Sequence, residues 1–161
     1  MPKTELDATD LRILAELQRS GRLSNVDLAK RVRLSPSPCL ARVRRLQDEG
    51  VIRKYVAMLD PQAVGLGVSV FIQVSLEKQV EKALEAFESA VRRYPQVMEC
   101  YLMTGDSDYL LRVVVPDVDA LQAFIVSELT RLPGVASIRS SFALKQVKFE
   151  TALPLPVHPR G

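Results

Sequence analysis

The sequence predicts an α+β fold, an N-terminal winged helix-turn-helix followed by a βαββαβ ferredoxin-like domain. Three observations predict it. The N-terminal third carries three short helical patterns with start and stop signals. From residue 68 the apolar period alternates between that of strands and that of helices, in the order strand, helix, strand, strand, helix, strand. The two parts also differ in charge: residues 19–54 hold 10 Lys/Arg against 3 Asp/Glu, whereas residues 61–161 hold 10 against 11.

The first helix is expected to open at Asp7, with Asp10 at its third position and Leu6 and Leu11 spaced as a hydrophobic staple. Leu11, Leu14 and Ala15 fall on one face, Ile13 and Leu17 adjoin it, and Gly21 ends it. The second repeats the grammar, with Ser24 as N-cap, Asp27 answering it, and Leu28, Ala29 and Val32 as the apolar side. The third begins near Ser35–Ser37, where Pro36 suits a first turn, and runs to Glu49 before Gly50. Cys39, Leu40, Val43 and Leu46 form its inner stripe. Pro38, Ala41, Arg42 and Arg45 fall on another face, with Ser37 and Arg44 beside it.

A short helix, a tight turn and a basic helix make a helix-turn-helix pattern. The exposed face of its last helix enters the major groove, where Arg reaches guanine edges or phosphates and a small Ala41 permits close approach. The candidate DNA contacts are Ser24, Asn25, Ser35, Ser37, Pro38, Arg42, Arg44 and Arg45. A plain three-helix bundle with a solvated basic surface would carry the same pattern. Residues 1–52 are assigned to this domain and 53–66 to a connecting strand and linker, because Val51–Leu59 reads as a strand that Asp60-Pro61 breaks.

In the second part, Val68, Val70, Ile72, Val74 and Leu76 alternate along a strand. Val80, Leu84, Phe87 and Val91 then give a helical stripe that Pro95 ends. Strands are expected over 97–104 and 108–115, joined by Gly105-Asp106-Ser107, then a helix over about 117–131 and a last strand from about 135 to 149. The order is that of the split βαβ fold. Both helices cover one sheet face, so Phe71, Leu110 and Val114 would lie on a bare one, which a second copy of the chain would cover. This domain is assigned to 67–153, and 154–161 to a Pro-rich tail.

Composition excludes several classes. No apolar run is long enough to span a membrane, and the start is acidic and polar where a signal peptide would be basic and then apolar, so a cytoplasmic location is expected. Cys39 and Cys100 lie far apart and read as buried free thiols rather than zinc ligands. The single histidine, His158, cannot build a triad or metal cluster alone. With no nucleophile–base pair, phosphate loop or metal spacing, neither an enzyme nor a cofactor is expected.

The run LSNVDLAKRVRLSPSPCLARVRRLQDEGVIRKY, the loop TGDSDYLLRV, then RLPGV and SSFALKQVK together resemble the Lrp/AsnC (leucine-responsive, feast/famine) regulators over residues 5–153. The resemblance implies a helix-turn-helix joined to an effector-binding domain of the RAM type. It also implies homodimers assembling to octamers or higher, with an amino acid bound between dimers and double-stranded DNA as partner. The function it implies is a sequence-specific regulator of amino-acid metabolism genes; a ligand-independent protein that organises DNA is the alternative.

Within that frame Thr104–Tyr109 is the effector candidate. Gly105 lets backbone approach a ligand, and Asp106 or Asp108 can pair with an α-ammonium while backbone N–H groups hold the carboxylate. Leu102, Thr104, Tyr109 and Ser140, the last from the Ile138–Ser141 strand of a neighbour, complete the candidate set. Gly-Asp-Ser is also ordinary hairpin-turn chemistry.

Overall fold

In the computed structural model, which describes residues 5–156, three helices form first: α1 (Ala8–Arg19), α2 (Asn25–Val32) and α3 (Pro36–Asp48). A complete capping box starts α1. The Asp7 carboxylate accepts from the Thr9 and Asp10 amides, each at 2.8 Å, and the Asp10 carboxylate accepts from the Asp7 amide at 3.1 Å. Ser24 caps α2 by accepting from the Asp27 amide, and its hydroxyl donates to the Asp27 carboxylate at 2.7 Å. The turn into α3 bends through Arg33, which ends α2 in the left-handed region at φ 59°. The expected apolar faces meet in one core of Ile13, Leu14, Leu28, Ala29, Val32, Cys39 and Leu46, with Val43 and Ile52 packed on it. Leu11 is only half-buried; Ile13 takes the central place expected of it.

The second group is β1 (Val68–Leu76), α4 (Glu81–Val91), β2 (Val97–Leu102), β3 (Tyr109–Val115), α5 (Val118–Ser127) with a 3-10 turn at Leu129–Arg131, and β4 (Val135–Phe142). The strands form one antiparallel sheet in the order β2-β3-β1-β4. Val70, Ile72, Val74, Leu111 and Val113 on one sheet face pack with Phe87 and Val91 of α4 and Leu121 and Phe124 of α5. The other face presents Phe71, Gln73 and Ser75 of β1 beside Leu110 and Arg112 of β3 and Ser137, Arg139 and Ser141 of β4. The βαββαβ order is therefore the observed one.

The chain divides into two compact units: the residues up to Met58 together with those from Lys148 on, and Leu59–Val147. Two expected strand stretches do not form. β4 stops at Phe142, opposite Val70, because β1 begins at Val68; the Ala143 amide takes the Ser69 carbonyl and nothing remains to pair with residues 144–149. The chain around Leu153 instead joins the helices. Its amide donates to the Gln18 side chain at 2.6 Å, its carbonyl accepts from the same side chain at 3.1 Å, and Leu155 packs on the helical core. Residues 53–59 likewise have no ladder partner among the described residues. Tyr55 is held by side-chain contacts instead: its hydroxyl meets the Gln47 amide at 3.3 Å, and its ring lies where a Cβ on Gly21 would approach within 3.1 Å. His158 lies outside the described residues.

Candidate functional site

The direction of each α3 side chain follows from its place in the helical turn. Cys39 and Leu46 point into the core, so the opposite side carries Ser37, Ala41, Arg44 and Asp48, all exposed. Pro38 is exposed next to them. Arg42 and Arg45 lie on the flank toward α1, which corrects the expectation that they share the outer face with Ala41. Arg42 donates to Asp7 at 2.6 Å and to Asp10 at 2.9 Å, and Arg45 donates to Asp10 at 2.6 Å. Asp10 is only 1% exposed.

Burial pushes the Asp10 carboxyl up, but the hydrogen bonds from Arg45 and Arg42 outweigh it, so the group ends below the usual carboxylate range. The Asp7 carboxyl is lowered too, by the Asp10 amide and then by Arg42. Both guanidiniums are correspondingly raised by hydrogen bonds to these carboxylates. The sequence signals Asp10 only as a capping residue. Its second role depends on where α3 crosses the start of α1, which no local pattern encodes.

The other proposed DNA contacts separate as well. Asn25, at the start of α2, donates its amide to the Pro36 carbonyl at 2.8 Å and so ties α2 to α3. The Ser24 hydroxyl is engaged with Asp27. Ser35 makes no side-chain cap bond, and with Ser37 it stays exposed at the start of α3.

In the sheet unit, the loop after β2 turns through Gly105 at φ 118°, a conformation that favours glycine. Thr104 and Asp106 are exposed. Asp108 is already engaged within the chain, unlike the free carboxylate that the ammonium assignment expected. It is buried, accepts from the Leu76 amide at 2.7 Å and from the Gln79 side chain at 2.6 Å, and so secures the irregular end of β1.

Tyr109 points into the helix-covered core. Its ring lies 4.6 Å from that of Phe87 and its hydroxyl donates to Glu88 at 2.9 Å. Burial raises its hydroxyl pKa far above the ordinary value, with Glu88 adding to it. Leu102 shares with Tyr109, Glu88 and Cys100 a hollow between α4 and β2. Cys100 is exposed rather than buried because β2 is an edge strand. The atoms lining that hollow still partly desolvate the thiol and, with Glu88 next, push its pKa up to about 11, so it is not an activated nucleophile. Ser140 lines a separate hollow, with Ile125 and Thr130. The expected ligand residues thus do not converge within one chain.

Asp106 has different company. It lines a hollow of about 270 Å³ with Ser107 and with Gln73, Ser75, Ser137 and Arg139 of the bare sheet face. Register brings these together: Gln73 sits opposite Arg139 and Ser75 opposite Ser137. Asp106 and Arg139 make no ion pair with each other, so an anion and a cation face one small polar space. The sequence reading missed Gln73, Ser75, Ser137 and Arg139; their alternation with the core residues of β1 and β4 was the available signal.

Comparisons with known proteins agree with this organisation. The winged helix-turn-helix DNA-binding family matches residues 6–53, and the Lrp/AsnC ligand binding domain matches residues 69–153. The Bkd operon transcriptional regulator of Pseudomonas aeruginosa is 53% identical over 151 residues, covering 94% of this chain and 99% of that one. The leucine-responsive regulatory protein of Escherichia coli K12 is 44% identical over 147 residues, covering 91% and 90%. Among solved structures, a transcriptional regulator of Neisseria meningitidis in complex with L-Met superposes with a TM-score of 0.90 at 45% identity, covering 94% of this chain and 98% of that one. A helix-turn-helix whose last helix exposes Ser37, Ala41 and Arg44, followed by an antiparallel sheet with Asp106 and Arg139 unpaired on one hollow, is thus found in a chain that belongs to the Lrp/AsnC family of transcriptional regulators.

Proposed function

We propose that this protein regulates transcription by reading duplex DNA with the outer face of α3 and by answering to a neutral, apolar amino acid held against the bare sheet face of its second unit. The observation that carries the ligand half is the unpaired Asp106 and Arg139 lining one hollow. A zwitterion asks for this pair: a carboxylate for its ammonium and a guanidinium for its carboxylate, with the Ser75, Ser107 and Ser137 hydroxyls as further partners. The lining is polar, so it suits the head group and leaves an apolar side chain to be covered by another surface. A second copy of the chain supplies one, and Phe71 stands exposed on the same sheet face, two positions along β1 from Gln73.

Assembly into dimers and then octamers or higher gives the ligand contacts that exist only in the assembled state. That difference is what lets a ligand shift an equilibrium. An apolar effector is supported by the relatives, one named leucine-responsive and one solved with L-Met. Target genes of amino-acid metabolism, a cytoplasmic setting and the absence of catalysis fit the same reading. Among the described residues no helix is long and apolar enough to cross a membrane, and no metal-binding cluster occurs.

The DNA half rests on Arg44, exposed with Ser37 and Ala41 on the side of α3 opposite the core. Duplexes selected by the protein from a random pool provide the probe. Mobility shifts on them, with and without L-leucine or L-methionine, test both halves. Ligand is expected to change apparent affinity about 5- to 150-fold, the range of a typical coupling. Arg44→Ala is expected to weaken binding and relax base preference. No response to any of the twenty amino acids would favour the DNA-organising alternative.

A further inference from the structure

Two arginines on the flank of a DNA-reading helix would ordinarily be expected to seek phosphates. Here each is tied to α1. We infer that Asp7 and Asp10 hold Arg42 and Arg45 back from the DNA backbone, so that α3 presents Arg44 while binding to arbitrary sequence stays weak. The inference rests on the reading of α3 as the DNA-contacting helix.

The geometry supports restraint rather than incidental pairing. Asp10 is buried, and its two carboxylate oxygens are divided between the arginines: Oδ1 takes Arg42 at 2.9 Å and Oδ2 takes Arg45 at 2.6 Å. Asp7 adds a second carboxylate to Arg42 at 2.6 Å. A carboxylate offers a guanidinium the same two-oxygen anionic surface that a phosphate does, so these aspartates occupy the arginines as DNA would. The four side chains sum to zero charge, so the two aspartates, which lie outside the basic segment 19–54, offset two of its ten cations.

Both arginines are still 33% and 38% exposed at the side chain, close enough to solvent to reach out if released. Arg44 makes no ion pair among the described residues. Sequence-independent affinity grows with the number of phosphates neutralised, and regulation depends on the ratio of specific to non-specific binding. Removing two cations from that count therefore favours discrimination.

The test compares two duplexes of equal length, one selected by the wild-type protein and one of random sequence, over a potassium chloride titration. Asp10→Asn keeps the size and one acceptor of the side chain but not its charge. It is expected to bind the random duplex more tightly, to steepen the log affinity–log salt slope by about one to two per protomer, and to discriminate less. Its gain over wild type should grow by about three- to tenfold between roughly 200 and 50 mM salt, as one to two added phosphate contacts require. A purely structural role for Asp10 would lower affinity for both duplexes and leave the slope alone.

Arg45→Gln in the otherwise wild-type chain, whose amide still donates to Asp10, is the second variant and does not depend on Asp10→Asn folding. Its slope should equal that of wild type. The inference is overturned if folded Asp10→Asn shows an unchanged slope, or if Arg45→Gln flattens the slope by about one, which would place Arg45 already on a phosphate. Failure of the wild-type protein to bind either duplex would overturn the DNA reading itself.

Discussion

The helical unit and the sheet unit each bury one aspartate, and they use it for opposite ends. Asp10 in the helical unit meets long, charged side chains from another helix and fixes where that helix's surface points. Asp108 in the sheet unit meets a backbone amide and a neutral side chain, and fixes the shape of a strand end. The first controls what is shown to a polyanion. The second stiffens the loop that leaves Asp106 open beside Arg139. A buried carboxylate thus works as an electrostatic device in one place and as backbone scaffolding in the other, and its partners decide which.

The most disruptive way to probe this contrast is to cut the two apolar cores. Leu46 and Leu111 are both fully buried, one in each unit. Truncation of either to Ala is expected to cost about 2–5 kcal/mol. Amide hydrogen exchange should lose protection mainly in the unit that carries the cavity. Equal loss in both units after either change would mean that they unfold as one.

Asp10→Ala is expected to have a smaller effect, about 1.5–3 kcal/mol, since it removes charge-assisted hydrogen bonds whose arginine partners can still turn to water. Chemical denaturation followed by exchange in α1 and α3 checks it. An effect below about 0.5 kcal/mol would reduce the network to an ordinary surface pair.

Acid should separate the units more gently. The folded-state carboxyls of Asp7 and Asp10 lie below their unfolded values, so their contribution is complete above about pH 4 and is lost as pH falls through the lower folded values. Helical-unit amides are expected to lose protection over that range, and Asp10→Asn should blunt most of the dependence. A pH profile unchanged in the Asn variant would contradict the assignment.

Much of this was legible in the sequence, and what escaped has a common cause. Caps, turns and apolar periods are local, so the Asp7–Asp10 capping box, Ser24 as N-cap and the βαββαβ order could be read residue by residue. Arg42 and Arg45 were placed by helical angle on a reading face, and the angle nearly serves. Their partners, however, sit more than thirty positions away in the chain. Asp108 was read as a ligand group because a loop carboxylate can pair with an α-ammonium, yet its partner amide belongs to β1, reached only once β1 and β3 pair. Strand ends failed in the same way: residues 143–149 have strand composition, but a strand needs a neighbour, and β1 ends first. The open hollow needed register as well, since Arg139 meets Gln73 only through the β1–β4 pairing.

The Asp106–Arg139 hollow is tested by calorimetry of L-leucine and L-methionine on the wild-type protein, Asp106→Asn, Arg139→Gln and Tyr109→Phe. Asp106 and Arg139 line the open hollow, whereas Tyr109 lies in the core on the other sheet face. Whichever amino acid binds the wild type is expected to lose about tenfold or more in affinity with Asp106→Asn and with Arg139→Gln, as when a charge-assisted hydrogen bond is removed. Tyr109→Phe should bind it as the wild type does. Wild-type affinity in both charge variants, with binding lost in Tyr109→Phe, would place the amino acid on the helix side of the sheet and not in the Asp106–Arg139 hollow.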